Sequence, residues 1–355
     1  MRYFLELCLK SVQQALRDLD AEIIVIDNNS KDNSCAMVKA LFPEVKLIEN
    51  KTNSGFSKGN NMGVKHAKGD YLCILNPDTV VAEDTFTKIL DFAENTKNLG
   101  IVGCRLINGT GEFLPESKRN IPYVRAALLK LVGNSKDYYA NHLKEDETGR
   151  ADIFVGAFMF LKREVYLEMK GFDEDYFMYG EDIDLSYKVL KAGYHNYYYA
   201  NTTVIHYKGE STLRDKNYAK RFYGAMQIFY KKHFKKNIIF DLLVWLGIKL
   251  VYSLRVQPVA KVKQVAKYVF VSNKNITEMN HVLSSHVALD AQLKNVSKHD
   301  EVVLDASFLG YKKAISIIQQ FKKEDAVTFK ILPNQSKFIL GSDSTVTRGE
   351  VIKWE

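Results

Sequence analysis

Two carboxylates, an amide and an imidazole stand at the ends of predicted strands, where such groups could do chemistry. Asp27 and Asp78 each follow an apolar run, Asn76 lies two residues before Asp78, and His206 ends a later strand-like stretch. A hard divalent cation takes oxygen ligands and often shares them with substrate phosphates. One carboxylate, one imidazole and a diphosphate would therefore make a coherent site for Mg or Mn.

A second acidic group opens a predicted helix, with Glu181 and Asp182 in its first turn. A carboxylate that binds no metal could take a proton from a hydroxyl nucleophile as a general base. Each candidate also has a structural explanation. Asp27 or Asp78 could cap a helix, acids in a first turn complement the helix dipole, and His206 could be an ordinary core histidine. Residue types and spacing leave both interpretations open.

Strands and helices alternate over the first hundred residues, and this alternation predicts the frame that holds these groups. The predicted strands are "AEIIVID", "VKLIEN", "YLCILN" and "GIVGCRLI", with helices between them. This spacing indicates an α/β fold with a mainly parallel sheet between helices. Ligands bind such sheets at the carboxyl ends of the strands, where Asp27 and Asp78 stand. The chain opens with an amphipathic helix, "RYFLELCLKSVQQALRDL", where a strand is usual.

Composition narrows the class of protein. The 355 residues are 46% hydrophobic and 26% charged, as in a globular protein with a sizeable core. No GxGxxG or Walker A stretch occurs, which argues against dinucleotide and P-loop functions. The 4 cysteines are scattered, so we expect free thiols in a reducing compartment. No leader sequence is recognisable at the start, and we therefore expect a cytoplasmic location.

Positive charge is concentrated in one segment. Residues 211–270 carry 13 Lys or Arg and only two Asp, while the whole chain has a net charge of +8. The apolar stretch "IIFDLLVWLGIKLVYSLRV" (238–256) lies within it and contains Asp241 and Lys249. Such a stretch is typical of a helix on an anionic membrane surface, or of a buried helix that docks the C-terminal domain. We expect no nucleic-acid partner, because no recognised binding module accompanies the charge.

Four stretches extend these observations to a known family. They are "VIDNNSKDNS", "NSGFSKGNNMGVKHAKGDYLCILNPDT", "VGAFMFLKREVYLEMKGFDEDYFMYGEDIDLSYKVLKAGY" and "VIHYKGEST". In this order and spacing, residues 3–235 resemble a family 2 glycosyltransferase of GT-A fold, close to the rhamnosyltransferase-like group. Family members begin with a strand that this sequence does not show. We therefore expect an N-terminally truncated GT-A domain whose sheet lacks one central strand.

The resemblance implies a role for each candidate residue. Asp182 matches the catalytic base, and Asp78 and His206 match the metal ligands, with Asn76 as a weaker ligand in place of an acid. The residues implied on the donor side are Asp27, Asn28, Gly55, Asn60, Asn61, Asn76 and Asp78. The residues implied near the sugar or the acceptor are Gly156, Ala157 and Glu181.

The implied activity is a metal-dependent, inverting transfer of a sugar from a nucleotide diphosphate. The expected acceptor is a hydroxyl of a glycan or lipid-linked glycan in bacterial surface polysaccharide synthesis, with rhamnose as a family-weighted donor. The cofactor would be Mg or Mn, and the protein would lie peripherally on the inner face of the membrane. The alternative is a catalytically inactive GT-A-like protein that acts as a membrane-associated partner.

Three parts of the chain follow from these patterns. Residues 1–235 form the predicted GT-A domain, and residues 236–265 form a basic amphipathic segment. Residues 266–355 form a small Rossmann-like α/β domain of unknown role. Within it we predict strands at "YVFVSN", "EVVLDAS", "VTFKILP" and "KFILGS", with helices over 277–290 and 309–323.

Overall fold

The structure, a computed structural model, covers most of the chain. It describes residues 1–123, 126, 129, 134–208, 216–234, 263, 265–274, 277–283, 287–344 and 348–354. The helix predicted over 120–133 and the membrane-associating segment over 236–265 lie largely outside the described residues. Among those residues, no helix has both the length and the apolar content needed to cross a bilayer.

Residues 1–234 contribute seven of the described helices and eight strands. The helices are α1 (Arg2–Ala15), α2 (Ser34–Leu41), α3 (Gly55–His66), α4 (Thr85–Glu94), α5 (Arg163–Glu168), α6 (Glu181–Lys191) and α7 (Lys216–His233). The strands are β1 (Ile24–Asp27), β2 (Lys46–Glu49), β3 (Tyr71–Leu75), β4 (Thr79–Val80), β5 (Leu99–Ile107), β6 (Gly149–Arg150), β7 (Phe158–Lys162) and β8 (His195–His206).

The central sheet has the strand order β3-β7-β5-β8-β4, with β6 paired to β8. β5 and β8 run parallel, whereas β7 is antiparallel to β3 and β5, and β4 is antiparallel to β8. β1 and β2 form a separate parallel pair. The α/β class of the GT-A prediction is confirmed, with mixed strand directions.

Helix α1 packs beneath both sheets. Its apolar positions recur at helical spacing, so one face can be buried along its whole length. Leu5 and Leu9 pack with α2 and the β1–β2 pair. Cys8 and Val12 pack instead with α4 and the central sheet. The amphipathic helix predicted from the sequence is therefore confirmed as a core element.

All four cysteines are free thiols, as their spacing predicted. Burial, reinforced by the nearby Asp78 carboxylate, raises the pKa of Cys8 to about 11 although Thr79 opposes the shift. The Cys8 thiol therefore stays protonated near neutral pH. The Cys8 Sγ atom lies 3.5 Å from Oγ1 of Thr79, the residue that follows Asp78.

The C-terminal unit is a second mixed sheet flanked by short helices. Its strands are β9 (Tyr268–Val271), β10 (Val287–Leu289), β11 (Glu301–Asp305), β12 (Thr328–Leu332), β13 (Phe338–Gly341) and β14 (Glu350–Lys353). Its described helices are α8 (Thr277–Val282), α9 (Ala306–Leu309) and α10 (Tyr311–Ile318). The order is β10-β9-β11-β12-β13-β14, and the first four strands are parallel.

The helix predicted over 277–290 is wrong at its end, because residues 287–289 form β10 and pair with β9. Sheet pairing outweighs helix propensity in this short apolar run. The helix predicted over 309–323 is shorter in the structure, where α10 ends at Ile318. β14 was not predicted.

The C-terminal unit packs against the first domain through a shared core. Phe4 of α1 and Ile205 of β8 belong to one apolar cluster with residues of β9, β11 and α10. The Glu83 carboxylate accepts hydrogen bonds from the backbone N–H groups of Tyr311 at 2.6 Å and Lys312 at 2.7 Å. An acid from the first domain thus satisfies the first turn of α10.

Candidate active site

A carboxylate, an imidazole and an amide meet at one edge of the central sheet. The backbone pairing of Thr79 in β4 with His206 in β8 brings the two strand ends together. His206 Nε2 lies 3.5 Å from Asp78 Oδ1 and 3.4 Å from Asn76 Nδ2. Asp78 is only 1% exposed and His206 6%. Three predicted metal ligands therefore form one cluster, in which Asp78 and His206 are buried and Asn76 is partly exposed.

The donor set of this cluster suits a divalent cation. No three His, Cys, Asp or Glu side chains come together as a metal-binding group within the described ranges, so Asn76 would have to serve as the third protein ligand. The Nδ1 atom of His206 is buried and has no hydrogen-bond partner. A carboxylate, an imidazole and an amide oxygen are all ordinary ligands of Mg or Mn, and substrate phosphates commonly supply the rest.

The predicted base, Asp182, is held by a buried arginine. Arg119 donates from Nη2 to Asp182 Oδ2 at 2.7 Å and to the carbonyl oxygen of Phe154 at 2.7 Å. Burial would lower the pKa of Arg119, but the Asp182 carboxylate prevails and the pKa is raised above its usual value. Asp182 Oδ1 accepts from the N–H of Ile183 at 2.8 Å, which leaves acceptor capacity on that oxygen.

Residues 156 and 157 connect the predicted base, Asp182, to the predicted metal-ligand cluster, which consists of Asn76, Asp78 and His206. The N–H of Gly156 donates to Asp182 Oδ2 at 3.3 Å. The carbonyl oxygen of the next residue, Ala157, accepts from the N–H of Asn76 at 3.1 Å. The two residues predicted to lie near the sugar therefore lie between the base and the metal-ligand cluster.

The surroundings of Glu181, the residue before Asp182, raise the pKa of its carboxyl group. Its side chain is 5% exposed, and its Oε2 atom has no hydrogen-bond partner. Burial, with the adjacent Asp182 charge, raises the pKa of Glu181 well above its usual range, although Arg119 opposes this. A neutral carboxyl can donate a hydrogen bond, whereas an ionised one only accepts.

A third acid of α6, Asp184, anchors the helix. Its Oδ1 lies 2.6 Å from Nε2 of His233, and its Oδ2 lies 3.1 Å from Nζ of Lys188. Burial opposes ionisation, yet these partners lower the pKa of Asp184 below its usual value. Asp184 is 1% exposed, and its contact with His233 links α6 to α7.

This pairing predicts a pH dependence of stability. Because the Asp184 pKa is lower in the folded state, the ion pairs contribute fully above the unfolded pKa and are lost as pH falls through the folded one. We expect Asp184→Asn to lower the free energy of unfolding at pH 7 by about 1.5–3 kcal/mol. Denaturation from about pH 7 down to about pH 2 should show this difference shrinking. A difference that stays constant over this range would contradict the assignment.

The residues predicted on the donor side lie where β1 meets α3. Asp27 is 9% exposed, and its carboxylate accepts from the N–H of Ser30 at 3.1 and 3.3 Å. Asn28 Nδ2 donates to the carbonyl oxygen of Gly55 at 2.9 Å. Gly55 has φ +83, and a Cβ there would lie 2.4 Å from the carbonyl oxygen of Phe177, so only glycine fits.

The two asparagines of α3 make protein contacts. Asn60 Nδ2 donates to the carbonyl oxygen of Phe56 at 2.9 Å. Asn61 Nδ2 donates to the carbonyl oxygen of Phe172 at 2.8 Å, and its Oδ1 accepts from the Tyr166 hydroxyl at 2.6 Å. Asn61 therefore ties α3 to the loop that precedes α6.

Sequence reasoning missed Arg119, which contacts the predicted base directly. It follows Lys118 in "SKRNIP", after the α/β alternation lapses, and nothing in its spacing separates it from surface arginines. The pair spans 63 residues in sequence, so only the folded structure shows it.

The strand-end acids, the base and the mixed α/β sheet define a class, a glycosyltransferase of GT-A fold. Residues 3–169 match the model of glycosyl transferase family 2, and the similar proteins support a family 2 glycosyltransferase of the rhamnosyltransferase-like group. The N-acetylglucosaminyl-diphospho-decaprenol L-rhamnosyltransferase of Mycobacterium tuberculosis is 24% identical over 211 residues, covering 54% of this chain and 68% of the relative.

Two further proteins are similar. The rhamnosyltransferase WbbL of Escherichia coli is 27% identical over 161 residues, which cover 43% of this chain and 61% of WbbL. Among solved structures, the mannosyltransferase PcManGT from Pyrobaculum calidifontis, in complex with GDP-Man and Mn2+, is 18% identical. Its TM-score is 0.47, and the match covers 72% of this chain and 67% of that chain.

Proposed function

We propose that this chain is a metal-dependent, inverting glycosyltransferase that moves a sugar from a nucleotide diphosphate to a hydroxyl of a glycan or lipid-linked glycan. One observation carries the proposal. Gly156 donates to the predicted base Asp182, and its neighbour Ala157 accepts from Asn76 of the metal-ligand cluster. Because adjacent backbone groups contact the predicted base and the predicted diphosphate site, the anomeric carbon of a bound donor would lie between the two.

The reaction follows from these positions. A bond forms between the acceptor oxygen and the anomeric carbon, and the bond from that carbon to the diphosphate oxygen breaks. The acceptor proton goes to Oδ1 of Asp182. Attack opposite to the leaving diphosphate inverts the configuration. Asp78 and His206, with Asn76, would hold the cation, which when bound neutralises charge on the leaving diphosphate.

The acceptor and donor proposals rest on the relatives. The mycobacterial relative is named for a diphospho-decaprenol acceptor and for rhamnose transfer. The poly(ribitol-phosphate) β-glucosyltransferase of Bacillus spizizenii is 26% identical over 246 residues and is named for poly(ribitol-phosphate) and for glucose transfer. We therefore propose a role in bacterial surface polysaccharide synthesis at the membrane, with rhamnose as the first donor sugar to test.

Asp78→Asn tests the metal site. We expect the parent chain to bind one of UDP, dTDP or GDP in a Mn- or Mg-dependent way, and Asp78→Asn to lose that dependence, because one negative charge leaves the site. Isothermal calorimetry with and without the cation measures both. Asp70→Asn, at an exposed position ahead of β3, is the matched control. Equal metal-dependent binding by Asp78→Asn would remove Asp78 from the site. A parent that binds none of the nucleotides would favour the inactive partner.

A further inference from the structure

A cavity of about 470 Å³ lies between the loop that precedes α6 and the helix α7. Ligand sites of proteins typically measure about 300–1,000 Å³, so this volume suits a small molecule or a molecular segment. Phe177 and Met178 line it from the loop, and Ile228 lines it from α7. Phe177 is 43% exposed.

Hydrogen bonds to backbone carbonyl oxygens fix the loop that forms one wall of this cavity. Ser57 Oγ donates to the carbonyl oxygen of Tyr176 at 2.6 Å, and the N–H of Phe56 donates to that of Phe177 at 2.8 Å. Lys232 connects α7 to this loop, because its Nζ lies 2.5 Å from a carboxylate oxygen of Asp175. The cavity is therefore formed before any ligand binds.

Arg221 is the basic residue that lines the cavity. The Arg221 guanidinium lies 5.7 Å from the centre of the Phe177 ring, and no described carboxylate forms an ion pair with it. The one acid of the lining, Asp175, is already paired with Lys232. A ligand that matches this site has an apolar body and an anionic group next to it.

The cavity adjoins the proposed active site. Gly180, with φ +86, directly precedes Glu181, and a Cβ at Gly180 would lie 3.0 Å from Cβ of Ala225, a cavity residue on α7. In sequence, α7 is followed closely by the apolar and basic segment over 238–256. The cavity helix α7 thus packs next to the first turn of α6, which carries the predicted base, and leads in sequence into this segment.

We propose that this cavity binds the first isoprenoid units of a lipid-diphosphate acceptor, with Arg221 contacting its diphosphate. This inference rests on the proposed function and adds to it the place where the acceptor lipid is recognised. The apolar lining accounts for the isoprenoid, and the guanidinium suits a diphosphate because it offers several fixed N–H donors.

Gly224 provides a direct test, because it lines the cavity and has no atom within 4 Å of where its Cβ would lie. Gly224→Leu should project into the cavity, because a Cβ at this position meets open space, and leucine is a better helix former than glycine. Arg221→Gln removes the cation. Lys231→Gln, at an exposed position of α7 outside the cavity, is the matched charge control.

The probes are farnesyl diphosphate, farnesol and inorganic diphosphate, with binding measured by calorimetry on the full chain. We expect the parent to bind farnesyl diphosphate and Gly224→Leu to bind both farnesyl probes at least about tenfold more weakly. Arg221→Gln should weaken farnesyl diphosphate by about tenfold and leave farnesol unchanged, because only the diphosphate contacts the guanidinium. Lys231→Gln should match the parent.

Unchanged binding of farnesyl diphosphate by Gly224→Leu would overturn the proposal. So would a parent chain that binds inorganic diphosphate as tightly as farnesyl diphosphate, since the isoprenoid would then contribute nothing to binding. Nucleotide calorimetry on the same samples separates this inference from the proposed function. A chain that binds the lipid probes in the cavity but no nucleotide would fail as an enzyme while retaining the lipid site.

Discussion

Replacing Asp182 with asparagine should leave a less stable but folded protein that binds its nucleotide and turns over about 10²–10⁴ times more slowly. The reason is that Asp182 Oδ1 alone would take the acceptor proton, and an amide cannot accept it. The asparagine keeps the shape of the side chain and an oxygen that can face Arg119. Initial rates with saturating donor measure the effect, and thermal denaturation reports the fold.

Glu181→Gln is the neighbouring control for this experiment. Burial raises the pKa of Glu181 and so favours its neutral carboxyl, which glutamine matches in both size and charge. We expect this variant to keep most of the parent's rate. If Glu181→Gln lost turnover and Asp182→Asn kept it, the roles of the two acids would have to be exchanged.

Arg119→Met should be among the most destabilising single substitutions in this chain. Arg119 is 7% exposed, and its removal leaves the Asp182 carboxylate buried without its cation. Breaking a buried ion pair from one side typically costs about 3–5 kcal/mol, because the remaining charge stays desolvated. Chemical denaturation measures the loss, and we expect activity to fall with it.

The double variant Arg119→Met with Asp182→Asn distinguishes the cause. If the cost comes from the unpaired carboxylate, the double variant should recover part of the stability that Arg119→Met alone loses. Lys162→Met is the surface control, because its ammonium pairs with the exposed Glu164 at 3.4 Å. Such surface pairs contribute at most about 1 kcal/mol. A double variant no more stable than Arg119→Met would assign the cost to lost packing.

The sequence predicts the elements with strong periodicity and misses those that depend on pairing. β3 and α6 follow from apolar runs and acidic first turns, and their ends lie within two residues of the prediction. β4 has two residues and forms because β8 lies beside it. The helix predicted at the position of β10 is wrong because a short apolar run carries no reliable period of its own.

The candidate site divides in the same way. Asp78, His206 and Asp182 could be named because residue types, strand ends and the family resemblance point to them. Arg119 could not, since its role depends on a contact across 63 residues of chain with no local signal. The buried anchoring of Asp184 by His233 was missed for the same reason, as the acid looks like part of a solvated turn.

The pairing of β4 with β8 also bears on the order of folding. Asn76 and His206 are separated by 130 residues, and the strands that carry these ligands meet only in the assembled sheet. Contacts this distant in sequence form late, because the entropy of closing the loop must be overcome first. A cation bound there could hold the finished fold by mass action, but it could not template the early steps. Removing it should therefore speed unfolding and leave the refolding rate of the chain unchanged.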